Sequence, residues 1–322
     1  PMSVVLITID AVCARRMSLY GASRRTTPRL DRWAEEAVVF DRAYTTGGWT
    51  SLALASLFHG RYPRRLHYTR VLETSRSRLL EVARGEPLEP DERPVRQFGL
   101  VLHDPTPPLW RRLSGRGMPT AAVVDDGSSA FLSSAVGAFA GFDRYVEIDT
   151  VAPEQRGDAA VRREAVRELA AMETTRPFFL WAHFYGPHKP STRHPGVEWY
   201  GESIEDRYDH ELRFADEQVG QLLDSIDAKR AQQPIAVIVA SDHGESFGRR
   251  SRGHGWNLKE DAVRIPLLVS VPGEPGRRVA HLASLVDLMP TVLALSAAST
   301  GTATDGAVLL DGLPLTEVAD GV

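Results

Sequence analysis

The stretch Pro234-Ile235-Ala236-Val237-Ile238-Val239-Ala240-Ser241-Asp242-His243-Gly244-Glu245 decides how this chain is read. Its apolar run, Ile235 to Ala240, shows no polar alternation. It predicts a strand buried on both faces, as in a parallel sheet covered by helices. The run stops at an acid, an imidazole and a glycine. Such a strand delivers two ligand-capable side chains to the carboxyl edge of the sheet, where open α/β folds place their sites. By themselves, Asp242 and His243 are equally compatible with a turn cap and a satisfied loop histidine.

Moving outward, two more apolar runs behave the same way. Val4 to Ile9 ends at Asp10, and Pro177 to Ala182 ends at His183. Thr120 to Val124 reads as a further strand ending in Asp125-Asp126, and Ile265 to Val271 as another. Helical patterns separate them. Ala159 to Met172 is amphipathic, Leu212, Ala215, Val219, Leu222 and Leu223 mark one helix face, and Leu285, Leu288, Met289 and Val292 mark another. Thr27-Pro28 suggests an N-cap followed by a first-turn proline. Strands alternating with helices imply right-handed crossovers and an α/β fold with a mainly parallel sheet. No internal repeat or linker interrupts the pattern, so residues 1–322 read as one domain. A variable surface excursion, rich in Arg, Glu and Pro, spans about 64–96.

Composition narrows the function classes. The chain has 322 residues, 43% hydrophobic and 25% charged, with a net charge of −4. That charge gives no nucleic-acid footprint. No apolar run reaches membrane-span length and no signal peptide is visible, although the abrupt start at Val4 is compatible with an upstream membrane anchor. Cys13 is the sole cysteine, which excludes an internal disulfide and a cysteine metal cluster. Either compartment fits one cysteine; an extracytoplasmic one, periplasmic or cell-surface, is favoured. Oligomeric state leaves no trace in the sequence.

If the strands ending in Asp10, His183 and Asp242-His243 are parallel neighbours, their side chains meet at one edge. Two carboxylates and an imidazole suit Zn²⁺, Mn²⁺ or a similar ion. Thr50 follows Gly47-Gly48-Trp49 and opens a helix-forming run closed by Gly60. A helix N-terminus favours an anion, and the Thr50 hydroxyl could complete the ligand set.

These residues carry a resemblance. Val5-Leu6-Ile7-Thr8-Ile9-Asp10, Tyr20-Gly21, Thr27-Pro28-Arg29-Leu30-Asp31, Trp49-Thr50 with Ala55-Ser56-Leu57 and Gly60-Arg61-Tyr62-Pro63, Phe178 to His183 with Pro187-His188-Lys189-Pro190, Ser241 to Glu245, and His254-Gly255 with Lys259 resemble the sulfatase branch of the alkaline phosphatase superfamily. The matches run in family order along nearly the whole chain. The resemblance implies an alkaline-phosphatase-like sheet sandwiched by helices, with the C-terminal subdomain reduced or absent after Asp311-Gly312. It makes Asp10, Asp242 and His243 metal ligands and puts Thr50 at the nucleophile and in the ligand set. His188, His254 and Lys259 become candidates to bind the substrate oxygens or protonate the leaving group, and His67 could line the site. One divalent ion is implied, since His188 follows the one-metal pattern. Mn²⁺ or Zn²⁺ is favoured, with Ca²⁺ or Mg²⁺ as alternatives. The implied partner is a small anionic ester.

The departures carry information too. Sulfatases place a Cys or Ser within C/S-x-P-S-R at the nucleophile and oxidise it to formylglycine. Here the stretch is Thr50-Ser51-Leu52-Ala53-Leu54, and threonine is no substrate for that conversion. The expectation is therefore a phosphate mono- or diester, cleaved through a phospho-threonine intermediate by hydrolysis or transfer. The alternatives are a sulfate-ester hydrolase and an inactive binding module. Cys13 and Arg15 replace an Arg and an Asp of relatives, and Gly186 replaces an Asp before Pro-His. His183 reads as structural, or as orienting a neighbouring ligand. Asp206 and His210 read as a solvated helix face.

Overall fold

The computed structural model describes residues 1–71, 98–125, 131–148, 157–188, 193–248, 251–255 and 257–296. Most of the 64–96 excursion, Asp126, Lys189 and the stretch around Asp311-Gly312 lie outside the described residues. Strands are numbered β1 (Ser3–Ile9), β2 (Val38–Tyr44), β3 (Thr69–Val71), β4 (Phe98–Leu100), β5 (Thr120–Val124), β6 (Arg144–Glu147), β7 (Phe179–Phe184), β8 (Ile235–Ser241), β9 (Ser246–Gly248), β10 (Ser251–Gly253), β11 (Arg264–Ile265), β12 (Leu267–Ser270) and β13 (Arg277–Ser284).

In the main sheet β8, β1, β7, β5 and β6 lie side by side and parallel, with β1 between β8 and β7. β12 is antiparallel to β8 and to β2, while β13 runs parallel to β2 on the sheet's far side. The run from Ile265 to Val271 is one strand in the sequence pattern but two in the structure. Pro266 has no N–H to offer a ladder, and the pairing to β2 slips by one residue across it, from Ile265↔Ala43 to Leu268↔Val39.

Every residue of β1 and of β8 is buried. Alternate residues enter different cores, as the period of two requires. Val4, Leu6, Ala236, Ile238, Ala240, Phe179 and Trp181 pack with Leu54, Leu57 and Phe58 of the helix Thr50–His59. Val5, Ile7, Ile9, Val237, Val239, Leu180 and Ala182 pack on the other face, against the helices Asp158–Ala171 and Ile204–Arg230. The sandwiched sheet follows directly from apolar runs without alternation. Among the described residues, no helix is long and apolar enough to cross a membrane.

Two local expectations are corrected. Thr27 holds the N-cap position of the helix Pro28–Trp33, but its hydroxyl makes no cap bond. The free N–H groups of Arg29 and Leu30 instead donate to Asp216, each at 2.9 Å, a buried carboxylate pushed up to about 7 by its burial. His210 is not solvated: it is 1% exposed, accepts from His194 N at 2.9 Å and is bonded to Glu198 O at 2.7 Å. Asp206 serves the capping box with Ser203 at the start of the long helix. Neither residue therefore sits on a free polar face.

Candidate active site

The site forms where β1 and β8 end and the helix Thr50–His59 begins. Pairing of Ile9 with Ser241 sets Asp10 and Asp242 side by side at the carboxyl edge. Just beyond, Ala11 takes a left-handed conformation, φ 58°, unusual for a residue with a Cβ. This turn aims its N–H at Asp242 Oδ1, 3.2 Å away. His243 N donates to the same oxygen at 2.8 Å. Asp242 is thereby fixed through one oxygen, while Oδ2 faces His243 Nε2 at 3.5 Å.

The remaining groups converge on that nitrogen. His243 Nε2 lies 3.3 Å from Asp10 Oδ1 and 3.2 Å from Thr50 Oγ1, which also donates to Asp10 Oδ2 at 3.5 Å. His243 Nδ1 lies 3.0 Å from Gly244 O. A carbonyl can only accept, so Nδ1 carries the proton and Nε2 presents its lone pair. Thr50 is the first residue of its helix and no side chain caps that turn.

The donor set fits a divalent cation. Ligand atoms of Asp10, Asp242 and His243 all lie within 4.8 Å of one another, and all three residues are buried. Asp10 Oδ1 and Asp242 Oδ2 have no hydrogen-bond partner. Burying two carboxylates costs several kcal/mol each in rough terms unless a countercharge offsets it. The titration behaviour says the same. Burial, then the Asp242 and Glu245 charges, push Asp10 well above the usual carboxylate range. Burial raises Asp242 and, with the His254 charge, pushes His243 down to about 3. A cation reverses every one of these penalties, and Zn²⁺ or Mn²⁺ suits two oxygens and an imidazole.

Two further histidines cover the cluster. The His254 ring stacks on His243 with centroids 4.3 Å apart, and His188 lies 5.0 Å from His254. Trp49 meets His254 edge to face at 5.7 Å. Gly255, φ 83°, permits this, since a Cβ there would come within 2.3 Å of the Trp49 ring. His254 Nδ1 is 2.9 Å from Glu245 Oε2. This contact brings Glu245, to which the sequence assigns no role, against the cluster. Its signal lay in the hairpin: β9 and β10 pair Ser246 with Gly253, and the next antiparallel pair outward is Glu245 with His254.

The structure thus brings Asp10, Thr50, Asp242, His243, His188 and His254 together. It does not bring Lys259 or His67 into the cluster. Lys259 is exposed at the start of the short helix Glu260–Val263, its N–H donating to Asn257 Oδ1. His67 lines a separate pocket of about 610 Å³ with His59, His103 and Asp104, beside the opposite end of the helix that Thr50 opens.

A mainly parallel sheet carrying this acidic–imidazole cluster at a helix N-terminus defines a member of the alkaline phosphatase superfamily. Within it, the chain belongs to the sulfatase family: the family described as Sulfatase matches residues 3–298. It is 25% identical to the N-acetylgalactosamine-6-sulfatase of Canis lupus familiaris over 98% of this chain and 65% of that protein. It is 35% identical to the steryl-sulfatase of Mus musculus over 38% of this chain and 22% of that protein. The chain thus spans less than two thirds of either relative's length. Among solved structures, it is similar to the phosphonate monoester hydrolase of Agrobacterium radiobacter, with a TM-score of 0.65 at 17% identity over 100% of this chain and 77% of that one.

Proposed function

We propose that this chain is a metal-dependent hydrolase of small anionic esters, with sulfate esters as its first substrate class. The observation that carries the hydrolase reading is the convergence of Asp10, Asp242 and His243 on the Thr50 hydroxyl at an uncapped helix N-terminus. The family and its named sulfatases support a sulfate ester. A second reading, phosphate or phosphonate esters cleaved through a phospho-threonine intermediate, is favoured by Thr50 itself. A plain hydroxyl forms no aldehyde hydrate to expel sulfate, whereas a phosphorylated side chain is open to attack by water.

When bound, a divalent ion supplies the positive charge that favours an ionised Thr50 and the ester's oxygens. The chain's own groups do the rest. Thr50 Oγ1 gives up its proton to solvent water and bonds to the sulfur or phosphorus, and the bond to the leaving oxygen breaks on the opposite side. Free N–H groups of the first helical turn face the oxygens that gain charge. Glu245 accepts the hydrogen bond of His254 Nδ1–H; in its imidazolium form His254 carries a second proton on Nε2, beside His188, and passes it to the leaving oxygen. Water then breaks the Oγ1 bond and restores the hydroxyl; an acceptor alcohol in its place gives transfer.

The test is turnover of p-nitrophenyl sulfate, p-nitrophenyl phosphate and bis-p-nitrophenyl phosphate with Mn²⁺ or Zn²⁺, and again with EDTA. Metal-dependent turnover led by the sulfate supports the first reading. Turnover led by a phosphate ester replaces it with the second, and no turnover of any ester removes the hydrolase. The leaving group also separates the roles of the histidines. His254→Ala is expected to slow a phenyl ester by roughly 10²-fold or more, the contribution of a general acid. A p-nitrophenyl ester, whose leaving group needs no proton, should slow by less than about ten-fold. Equal losses on the two esters would make His254 a binding group rather than an acid.

A further inference from the structure

We propose that the pocket at the far end of the helix Thr50–His59 is a second oxyanion site, which takes a sulfate, phosphate or carboxylate group at its arginine-rich rim. It is separate from the cluster at Thr50. A rise of about 1.5 Å per residue puts His59 roughly 14 Å along the helix from Thr50. His59 lines this pocket of about 610 Å³ together with His67, His103, Asp104 and Arg111. A pocket of that size admits a small organic ligand, so the oxyanion can arrive free or as one group of a larger anion.

The surroundings of the pocket have a charge opposite to that of the chain, which carries −4. Between Thr45 and Thr69, and between Gly99 and Val124, the sequence sets Arg61, Arg64, Arg65, Arg111, Arg112 and Arg116 against a single acid, Asp104. The fold joins these two segments at one short turn, Asp104 to Pro107. Arg61 Nη1 donates to Thr106 Oγ1 at 3.0 Å, and Arg112 Nε donates to Pro107 O at 3.0 Å. Two guanidinium groups therefore rest on neighbouring residues, and both bond to neutral acceptors. The one acid is already engaged within the turn. Its side chain is buried, Oδ1 accepts from Thr106 N at 2.8 Å and Oδ2 from His67 N at 2.9 Å.

Among the described residues, none of Arg61, Arg111, Arg112 and Arg116 forms an ion pair with a carboxylate. Other arginines of this chain do: Arg16 and Arg24 share Asp209, and Arg144 holds Glu168. Arg61 Nε–H, which can only donate, is buried without a hydrogen-bond partner. His59, 6% exposed on the pocket wall, also has an Nδ1 without one. Orphaned polar atoms at such depth are rare. Partly buried cations set side by side without acids are costly, and an oxyanion offsets that cost. Guanidinium forks match sulfate, phosphate and carboxylate with paired N–H bonds.

The test is binding in EDTA, where the carboxylates of Asp10 and Asp242, without a cation, disfavour an anion at Thr50. Equilibrium dialysis with radiolabelled inorganic sulfate reads a free ion. Anisotropy of fluorescein-labelled dextran sulfate reads the same group on a chain. Both probes are applied to wild type, Arg111→Glu, Arg112→Glu and the two changes together, with folding checked by circular dichroism. Arg25→Glu with Arg32→Glu is the control of matched charge: both arginines are exposed, and their segment packs on the other face of the sheet. The pocket double variant is expected to bind at least one probe roughly ten-fold or more weakly, and each single change to weaken it in the same direction. The control should stay within about three-fold of wild type. Loss on inorganic sulfate identifies a free ion as sufficient, and loss on dextran sulfate alone identifies a group carried by a larger anion; either supports the site. A wild type that binds neither probe, or equal losses in the pocket and control variants, would overturn it. No turnover is measured, so a protein inactive on every ester would remove the hydrolase reading and leave this result standing.

Discussion

Thr50→Ala is expected to lower kcat by roughly 10⁴-fold while leaving the fold and the metal site in place. The Thr50 hydroxyl bonds to Asp10 and His243 within the site, so its removal empties the proposed nucleophile position without breaking a network outside it. Alanine is also the better helix former, by about half a kcal/mol, and the first turn is not capped by a side chain that would be lost. Melting temperature should therefore hold or rise slightly. On the proposed ligand set, Asp10, Asp242 and His243 remain after the substitution, so Mn²⁺ should still bind within about ten-fold of wild type. Thr50→Ser restores a hydroxyl at the same position and should recover activity to within about ten-fold. Mass spectrometry of acid-quenched enzyme should find a sulfo or phosphoryl group on Thr50 in wild type and none in the alanine variant. A Thr50→Ala protein that turns over at the wild-type rate would move the nucleophile elsewhere and leave Thr50 as a metal-site neighbour.

The sheet was legible because its central strands lack alternation: Val4 to Ile9 and Ile235 to Ala240 can only be buried on both faces, and the two cores divide them residue by residue. The edge was less legible. Pro266 breaks a run that hydropathy alone makes continuous. Asp10, Asp242 and His243 could be nominated because each terminates a strand, and strand ends share an edge whenever the strands are parallel. His254 and His188 were named through resemblance, but the stack over His243 depends on a hairpin register that no hydropathy pattern encodes. The run Ser241 to Glu245 gives Glu245 no role for the same reason. His210 shows the opposite failure. A polar residue in a charged helix reads as solvated, yet the segment around His194 folds back on it and supplies the bonds that allow burial. Lys259 shows that a position in a motif does not by itself carry a side chain into the cluster.

Asp242→Asn should abolish metal-dependent activity, by roughly 10³-fold or more, and should do so without weakening the metal-free protein. This combination separates a metal ligand from a structural carboxylate. In the metal-free state Asp10 and Asp242 are both buried, both pushed upward by that burial, and Asp10 further raised by the Asp242 charge. Asparagine keeps an Oδ1 for the N–H groups of Ala11 and His243. Its amide replaces Oδ2, which has no hydrogen-bond partner, with a donor beside the lone pair of His243 Nε2, 3.5 Å from Oδ2. The substitution thus removes a buried charge and keeps the hydrogen bonds that Oδ1 accepts. Metal-free Asp242→Asn should melt at or above the wild-type temperature. Adding Mn²⁺ at a hundred-fold excess over Kd should stabilise wild type by about 2.7 kcal/mol and leave the variant unmoved. Differential scanning calorimetry with and without Mn²⁺ reads both effects. If Asp242 were there only to tie β8 to Ala11, asparagine would keep the tie: the variant would retain activity, and Mn²⁺ would move both proteins equally or neither.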